Sequence, residues 1–150
     1  DNGWSGVMIE SDKRLFDLCR QRRESPLVSC YHSAVGPPNI NQFINGREFD
    51  LISMDTDGGN DYRVFSSTIS KPRIVIIEIN SGFRPFEFHI SEDQGCSYKP
   101  MVELGIEKGY FLLCHTGNLV FVRNDYRDKF PDIEGDGLTN SDLYFKKDWL

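Results

Sequence analysis

Arg73-Ile74-Val75-Ile76-Ile77-Glu78-Ile79-Asn80 is the stretch on which the fold of this chain turns. It restarts the chain after Lys71-Pro72, carries an unbroken Ile-Val-Ile-Ile core and closes on Glu78 and Asn80. Branching at Cβ favours extended backbone, so a run this short and this apolar predicts a strand rather than a helix. Apolarity without alternation predicts burial on both faces, as in a parallel sheet.

On its amino side, residues 49–54 predict a strand that ends at Asp55. The turn formers Asp55-Thr56-Asp57-Gly58-Gly59-Asn60 follow, and Asp61 can cap a helix to about Thr68. Earlier still, Val7-Met8-Ile9-Glu10 reads as a strand ending in an acid, and residues 27–35 as a strand closed by Gly36-Pro37-Pro38. Between these two, Ser11 offers an N-cap and Leu15, Leu18 and Cys19 repeat at helical spacing up to Arg23, before Glu24-Ser25-Pro26 breaks the helix. Residues 39–47 predict a short helix or turn. On the carboxyl side, residues 81–95 form a long loop holding Phe83, Phe86 and Phe88. Ser97 then opens a helix through Met101, Val102 and Leu104 to Lys108-Gly109. Residues 110–115 and 119–123 are two strands joined by Thr116-Gly117-Asn118, a connection short enough for an antiparallel hairpin. Strands that alternate with helices predict one α/β domain over residues 1–150. The expected architecture is Rossmann-like: a mostly parallel sheet, helices on both faces and a C-terminal antiparallel hairpin strand.

Composition narrows the function. Hydrophobic content of 39%, with 13% aromatics, supplies a core and excludes a disordered chain. A net charge of -6 argues against a phosphate-binding surface, so no nucleic-acid partner is expected. The one basic cluster, Arg20, Arg22 and Arg23, falls at a helix end, where cations oppose the dipole. No apolar run approaches the ~20 residues of a membrane helix, and Asp1-Asn2-Gly3-Trp4 lacks the pattern of a signal peptide, so no membrane association is expected. Cys19, Cys30, Cys96 and Cys114 form no CxxC pair and predict reduced thiols in the cytoplasm. His32, His89 and His115 show no ligand spacing with them, which argues against zinc.

In open α/β sheets, ligands bind beyond the carboxyl ends of the strands. Three strands here end in polar groups: Glu10, then Asp55 and Asp57, then Glu78 and Asn80. An acid ending the second strand of a nucleoside-binding fold accepts hydrogen bonds from ribose hydroxyls, and Glu10 fits that role by position. Asp55 and Glu78 are expected beside it on the same rim, as cofactor contacts. Asp55 and Asp57 are also candidates for a general base or metal ligand, or for a turn that bonds its own backbone. Oxygen ligands alone would suit Mg²⁺ or Ca²⁺, but no metal is expected. His89 is a third candidate base. Its loop is long enough to serve as a lid, with Phe83 or Phe86 facing an acceptor pocket. His115 reads as structural. Asp132, Glu134 and Asp136 lack the terminal Glu of an EF-hand and read as a solvated acidic turn.

Taken in order, these motifs resemble the FkbM-type methyltransferase-like family. Residues 49–62 look like its fourth-strand motif and residues 71–80 like its fifth strand. Gln94-Gly95-Cys96-Ser97, Leu104-Gly105 and Glu107-Lys108-Gly109-Tyr110 resemble the loop and helix that follow, and residues 118–123 the last strand. Gly3-Trp4-Ser5-Gly6-Val7-Met8-Ile9-Glu10 is similar to the second strand, whose acid binds the cofactor ribose. The resemblance implies S-adenosylmethionine as cofactor and transfer of its methyl group, often to oxygen, on a small-molecule or glycan acceptor. It also implies a departure, because the family's first strand and glycine-rich turn have no counterpart ahead of Glu10. That strand lies centrally, between the strands ending at Glu10 and Asp55. The two flanking strands must then pair directly, or a partner chain or other segment must fill the slot, or an upstream piece is missing. The alternative to an enzyme is an inert methyltransferase-fold binding module or fragment. A second departure is Gly58-Gly59, where the family pattern has one glycine.

Overall fold

A computed structural model of the chain describes residues 3–44, 46–56, 59–135 and 137–138. In chain order these residues form β1 (Gly6–Glu10), α1 (Lys13–Arg23), β2 (Val28–His32), α2 (Ile40–Ile44), β3 (Leu51–Met54), α3 (Asn60–Ser67), β4 (Ile74–Glu78), β5 (Ile90–Ser91), β6 (Gly95–Cys96), α4 (Tyr98–Glu107), β7 (Tyr110–His115) and β8 (Asn118–Arg123). A 3-10 turn at Asn124–Lys129 follows. The N-cap of α1 is Asp12 rather than Ser11, because its carboxylate reaches the Leu15 N–H at 2.8 Å. Helix α1 ends at Arg23 with Arg20, Arg22 and Arg23 in its last turn, and Glu24 is extended, two residues ahead of Pro26. Gly117, at φ +95, turns β7 into β8, so that His115 pairs with Leu119.

The strands do not build the expected Rossmann-like sheet. They form three sheets: a parallel pair β1-β2, a four-stranded sheet in the order β3-β4-β8-β7, and a small antiparallel pair β5-β6. Within the four-stranded sheet only β3 and β4 are parallel; β8 runs antiparallel to both of its neighbours. Two physical causes account for the difference. First, β1 bonds only to β2 and β3 only to β4, so among the described residues no strand joins the two sheets. Second, β4 is not equally buried on its two faces. Val75 and Ile77 are sealed, while Ile74 and Ile76 are half-buried.

That asymmetry places the helices. Register aligns Val75 with Phe121 and Ile77 with Leu119, so these four share one face of the sheet. Helix α3 reaches this face through Phe65, whose ring stacks 6.2 Å from Phe121. Helix α4 reaches it through Gly105, which lies against the same ring. Met101, Val102, Leu104 and Met54 complete this core. On the opposite face, the Phe111 ring meets Phe130 edge-on at 5.9 Å and Arg127 lies 4.4 Å over it. Helices α3 and α4 therefore share one face of this sheet, where helices on both faces were expected. The β1-β2 pair has its own cover in α1, with the Cys19 thiol 3.6 Å from the Met8 sulfur and 3.9 Å from Cys30.

Candidate functional site

Strand β1 is parallel to β2, and the chain leaving β2 reaches Val35, whose carbonyl accepts a 2.6 Å hydrogen bond from the Asn60 side chain. Asn60 opens α3, just beyond the carboxyl end of β3. That bond ties the exits of the two parallel pairs together. Glu10 ends β1 and Asp55 follows β3, and Glu78 ends the strand beside that of Asp55, since Met54 pairs with Ile77. Glu10 and Asp55 are not on adjacent strands. A groove separates them, lined by Val7 and Ile9 of β1, by residues 51–56, and by Val35, Ile40, Phe43, Ile44 and Phe49.

Each carboxylate has a different local setting. Glu10 is half-buried, and one of its oxygens accepts the Asp12 N–H at 2.7 Å, which leaves the other for a ligand hydroxyl. Asp55 is exposed at the lip of the groove. Glu78 is half-buried and lies opposite Asn118 of β8. Asp57 and Gly58 lie outside the described residues, as does Asp136 of the acidic turn.

The loop between β4 and α4 is more ordered than its sequence suggests. Asn80 holds it at one end: its N–H donates to the Cys96 carbonyl at 2.9 Å and its side chain to the Gln94 carbonyl at 2.8 Å. Ser97, expected as a helix cap, uses its hydroxyl elsewhere and donates to the Glu87 carbonyl at 2.6 Å. His89 stacks on Phe83 at 4.1 Å, and its ring shares a 3.1 Å hydrogen bond with the Ser91 hydroxyl. Phe86 and Phe88 are 57% and 61% exposed, and neither they nor Phe83 line the groove between β1 and β3. The β5-β6 pair sits instead against the head of α3. Gly59, at φ +69, packs backbone to backbone with Ser91 and Gly95.

Asp61 was legible only as a helix cap, and the structure gives it a different task. It is 4% exposed, and its carboxylate accepts both the N–H of Thr56 at 2.9 Å and the Thr56 hydroxyl at 3.0 Å. It therefore fixes the loop that follows Asp55. Burial pushes its carboxyl above the usual range, against the lowering effect of the two Thr56 bonds, and nearby Asp55 adds to the rise. Burial also pushes the neighbouring Cys96 thiol up to about 12, with a further push from Asp61. A carboxyl whose folded pKa is raised binds its proton more tightly when folded. It favours folding most below the unfolded pKa of 3.8, and that contribution is lost as pH rises through the raised value. Asp61→Asn keeps an acceptor for Thr56, so its stability relative to wild type should improve as pH rises through this window. Asp61→Ala leaves the Thr56 N–H without its partner and should cost about 1–3 kcal/mol at pH 7. Urea unfolding of the three proteins between pH 3.5 and 7 decides this, and parallel curves for wild type and the Asn variant would refute the buried-charge account.

A second, larger cleft of about 550 Å³ opens at the opposite end of the sheet, among Arg47, Asp50, Lys71, Arg73, Arg123 and Tyr126. Two of its cations are already paired, Arg73 with Asp50 at 3.1 Å and Arg123 with Asp125 at 2.7 Å. It faces the amino ends of β3 and β4, away from the Asp55 rim. Among the described residues, no group of three His, Cys, Asp or Glu side chains could hold a metal ion, and no helix is long and apolar enough to cross a membrane. Comparison with protein-family models, with curated proteins and with solved structures finds no match to this chain.

Proposed function

We propose that this chain is an S-adenosylmethionine-dependent methyltransferase-like protein of the FkbM type, which holds the cofactor at the rim where β1 and β3 end. The observation that supports the reading is the tie between the two parallel pairs: Glu10 and Asp55 follow strands of pairs whose exits are bound together by Asn60 and Val35. The residues fit the nucleoside half of the cofactor. Glu10 keeps one carboxylate oxygen for the ribose hydroxyls, Asp55 lines the groove on its β3 side, and Glu78 ends the next strand. The bound sulfonium would supply an electrophilic methyl group. The chain's own part is then to orient a hydroxyl of a small-molecule or glycan acceptor for in-line attack, a positioning effect of roughly 7–11 kcal/mol. Removing the hydroxyl proton falls to Asp55, with His89 and Asp57 as the other candidates. A cytoplasmic location belongs to the same proposal, supported by the widely spaced cysteines, which form no CxxC pair.

Calorimetric titration with S-adenosylhomocysteine tests the reading. Binding to the wild-type protein is expected, with Kd weakened about 10- to 100-fold by Glu10→Gln, the usual effect of losing hydrogen bonds to a charged acceptor. Equal affinities for the two proteins would remove Glu10 from the site. A second reading, an interaction module without catalysis, draws its support from the groove itself. At about 180 Å³ it falls below the roughly 300–1,000 Å³ of ordinary small-molecule sites.

A further inference from the structure

The face of the β1-β2 pair that lies under α1 is built around sulfur. Side chains alternate along a strand, so Val7 and Ile9 line the groove toward β3 while Met8 turns to the opposite face. Register sets Met8 directly opposite Cys30, in strands about 4.8 Å apart, and Glu10 opposite His32. Helix α1 covers these two rungs. Phe16 stacks on His32 at 5.2 Å, and Cys19, three residues further and so on the same helix face, reaches both Met8 and Cys30. The Cys19 thiol donates to the Met8 sulfur at 3.6 Å. With that proton committed, Cys30 is the donor in its 3.9 Å contact with Cys19. Two thiol protons thus lie among three sulfurs. Hydrophobicity alone does not explain the arrangement, because Leu15 and Leu18 of α1 are left exposed while a thiol takes the inward position.

We propose that Met8, Cys19 and Cys30 form a binding site for a soft monovalent cation, Cu(I), held by two thiolates and one thioether in trigonal geometry. Metal–thiolate bonds are about 2.3 Å long, so a trigonal centre holds its sulfurs about 4.0 Å apart and a linear one about 4.6 Å. The contacts at 3.6 and 3.9 Å are close to the trigonal spacing and well short of the linear one. On binding, the two thiols release their protons to solvent and each sulfur forms one bond to copper, which stays Cu(I) throughout. The ligand set selects the metal. Among the described residues no third His, Cys, Asp or Glu joins the two thiols, so Zn²⁺ lacks the four ligands it takes. The imidazole of the next rung, His32, has its Nε2 on the Ser11 carbonyl at 3.0 Å. The third donor is therefore a thioether, which suits Cu(I) and not a hard cation. Met8 is 41% exposed and both cysteines are half-buried, so copper reaches the site without unfolding α1. The site lies on the face of β1-β2 turned away from the groove, and it stands whether or not that groove binds a nucleoside.

Anaerobic titration of the intact, reduced protein with Cu(I) tests this, with the metal supplied as its acetonitrile complex and read against a coloured Cu(I) chelator. X-ray absorption of the loaded protein gives the ligand count. One Cu(I) per chain is expected, with three sulfur neighbours at about 2.3 Å. Met8→Leu keeps the packing volume and removes the thioether. It should weaken Cu(I) binding by about 10-fold or more, since even an outer-shell partner of a metal is worth that much, and lower the sulfur count from three to two. Cys19→Ser and Cys30→Ser should each weaken binding by about 100-fold or more. Cys114→Ser, on β7 and outside the cluster, should leave it unchanged. The sulfur count of the wild-type protein decides the matter even if a variant fails to fold. Two sulfurs around copper in the wild-type protein, an affinity unchanged by Met8→Leu, uptake that depends on Cys114, Zn²⁺ held as tightly as Cu(I), or no uptake at one equivalent would each overturn the proposal.

Discussion

Gly59→Ala is expected to lower the unfolding free energy by about 2–5 kcal/mol, out of the roughly 5–15 kcal/mol typical of a domain. Two costs add. Gly59 sits at φ +69, in the left-handed region, where a side chain adds about 1–2 kcal/mol. Its Cβ would also stand 2.0 Å from the Ser91 carbonyl oxygen and 2.8 Å from the Gly95 Cα. Both are backbone atoms, so no rotamer change relieves the contact, and β5-β6 must lift from the head of α3. Overpacking of this kind costs about 1–3 kcal/mol. Gly117→Ala is the control, since Gly117 has φ +95 but nothing within 4 Å of its would-be Cβ. Urea denaturation should show the Gly59 variant at least 1 kcal/mol worse than the Gly117 variant; equal losses would mean that β5 gives way at no cost.

Phe121→Ala is expected to cost about 3–5 kcal/mol, the range for deleting a buried aromatic ring. Phe121 is 0% exposed and joins β8 to both α3 and α4, through Phe65 and Gly105. Its size also dictates its neighbour. A Cβ on Gly105 would lie 2.4 Å from the ring, so Gly105→Ala should destabilise the wild-type protein. In the Phe121→Ala background the clash is gone, and the intrinsic preference of a helix interior for alanine over glycine, about 1 kcal/mol, should appear instead. Thermal unfolding of the two single variants and the double variant measures this coupling. A Gly105→Ala effect of the same sign and size in both backgrounds would contradict the packing described here.

What the sequence disclosed depended on how far each signal reached along the chain. The Ile74-to-Ile77 run and the Thr116-Gly117-Asn118 turn act locally, and both formed where local chemistry put them. Burial of that run on both faces did not follow, because Ile74 and Ile76 face a side without α3 or α4, and nothing in the run distinguishes them from Val75 and Ile77. The assumption of a single sheet failed for a similar reason. Strand propensity in Val7-to-Glu10 and Leu51-to-Met54 says that each will be a strand, not what its second edge will meet. At the rim, Glu10, Asp55 and Glu78 were visible as strand-ending acids. Asp61 was hidden, because its partner is the Thr56 backbone five residues earlier and its burial depends on the β5-β6 pair folding back over α3. A signal did exist in Gly59, where tolerance of positive φ meets a close approach of another backbone.

The most direct test of the proposed cofactor rim is chemical-shift mapping of the ¹⁵N-labelled protein during titration with S-adenosylhomocysteine. The rim reading predicts saturable shifts at Glu10, Ser11, Asp12, Asp55 and Thr56, with the amides of Arg47, Lys71, Arg73 and Arg123 at the opposite end unmoved. Shifts confined to that opposite cleft, or none at millimolar ligand, would contradict it.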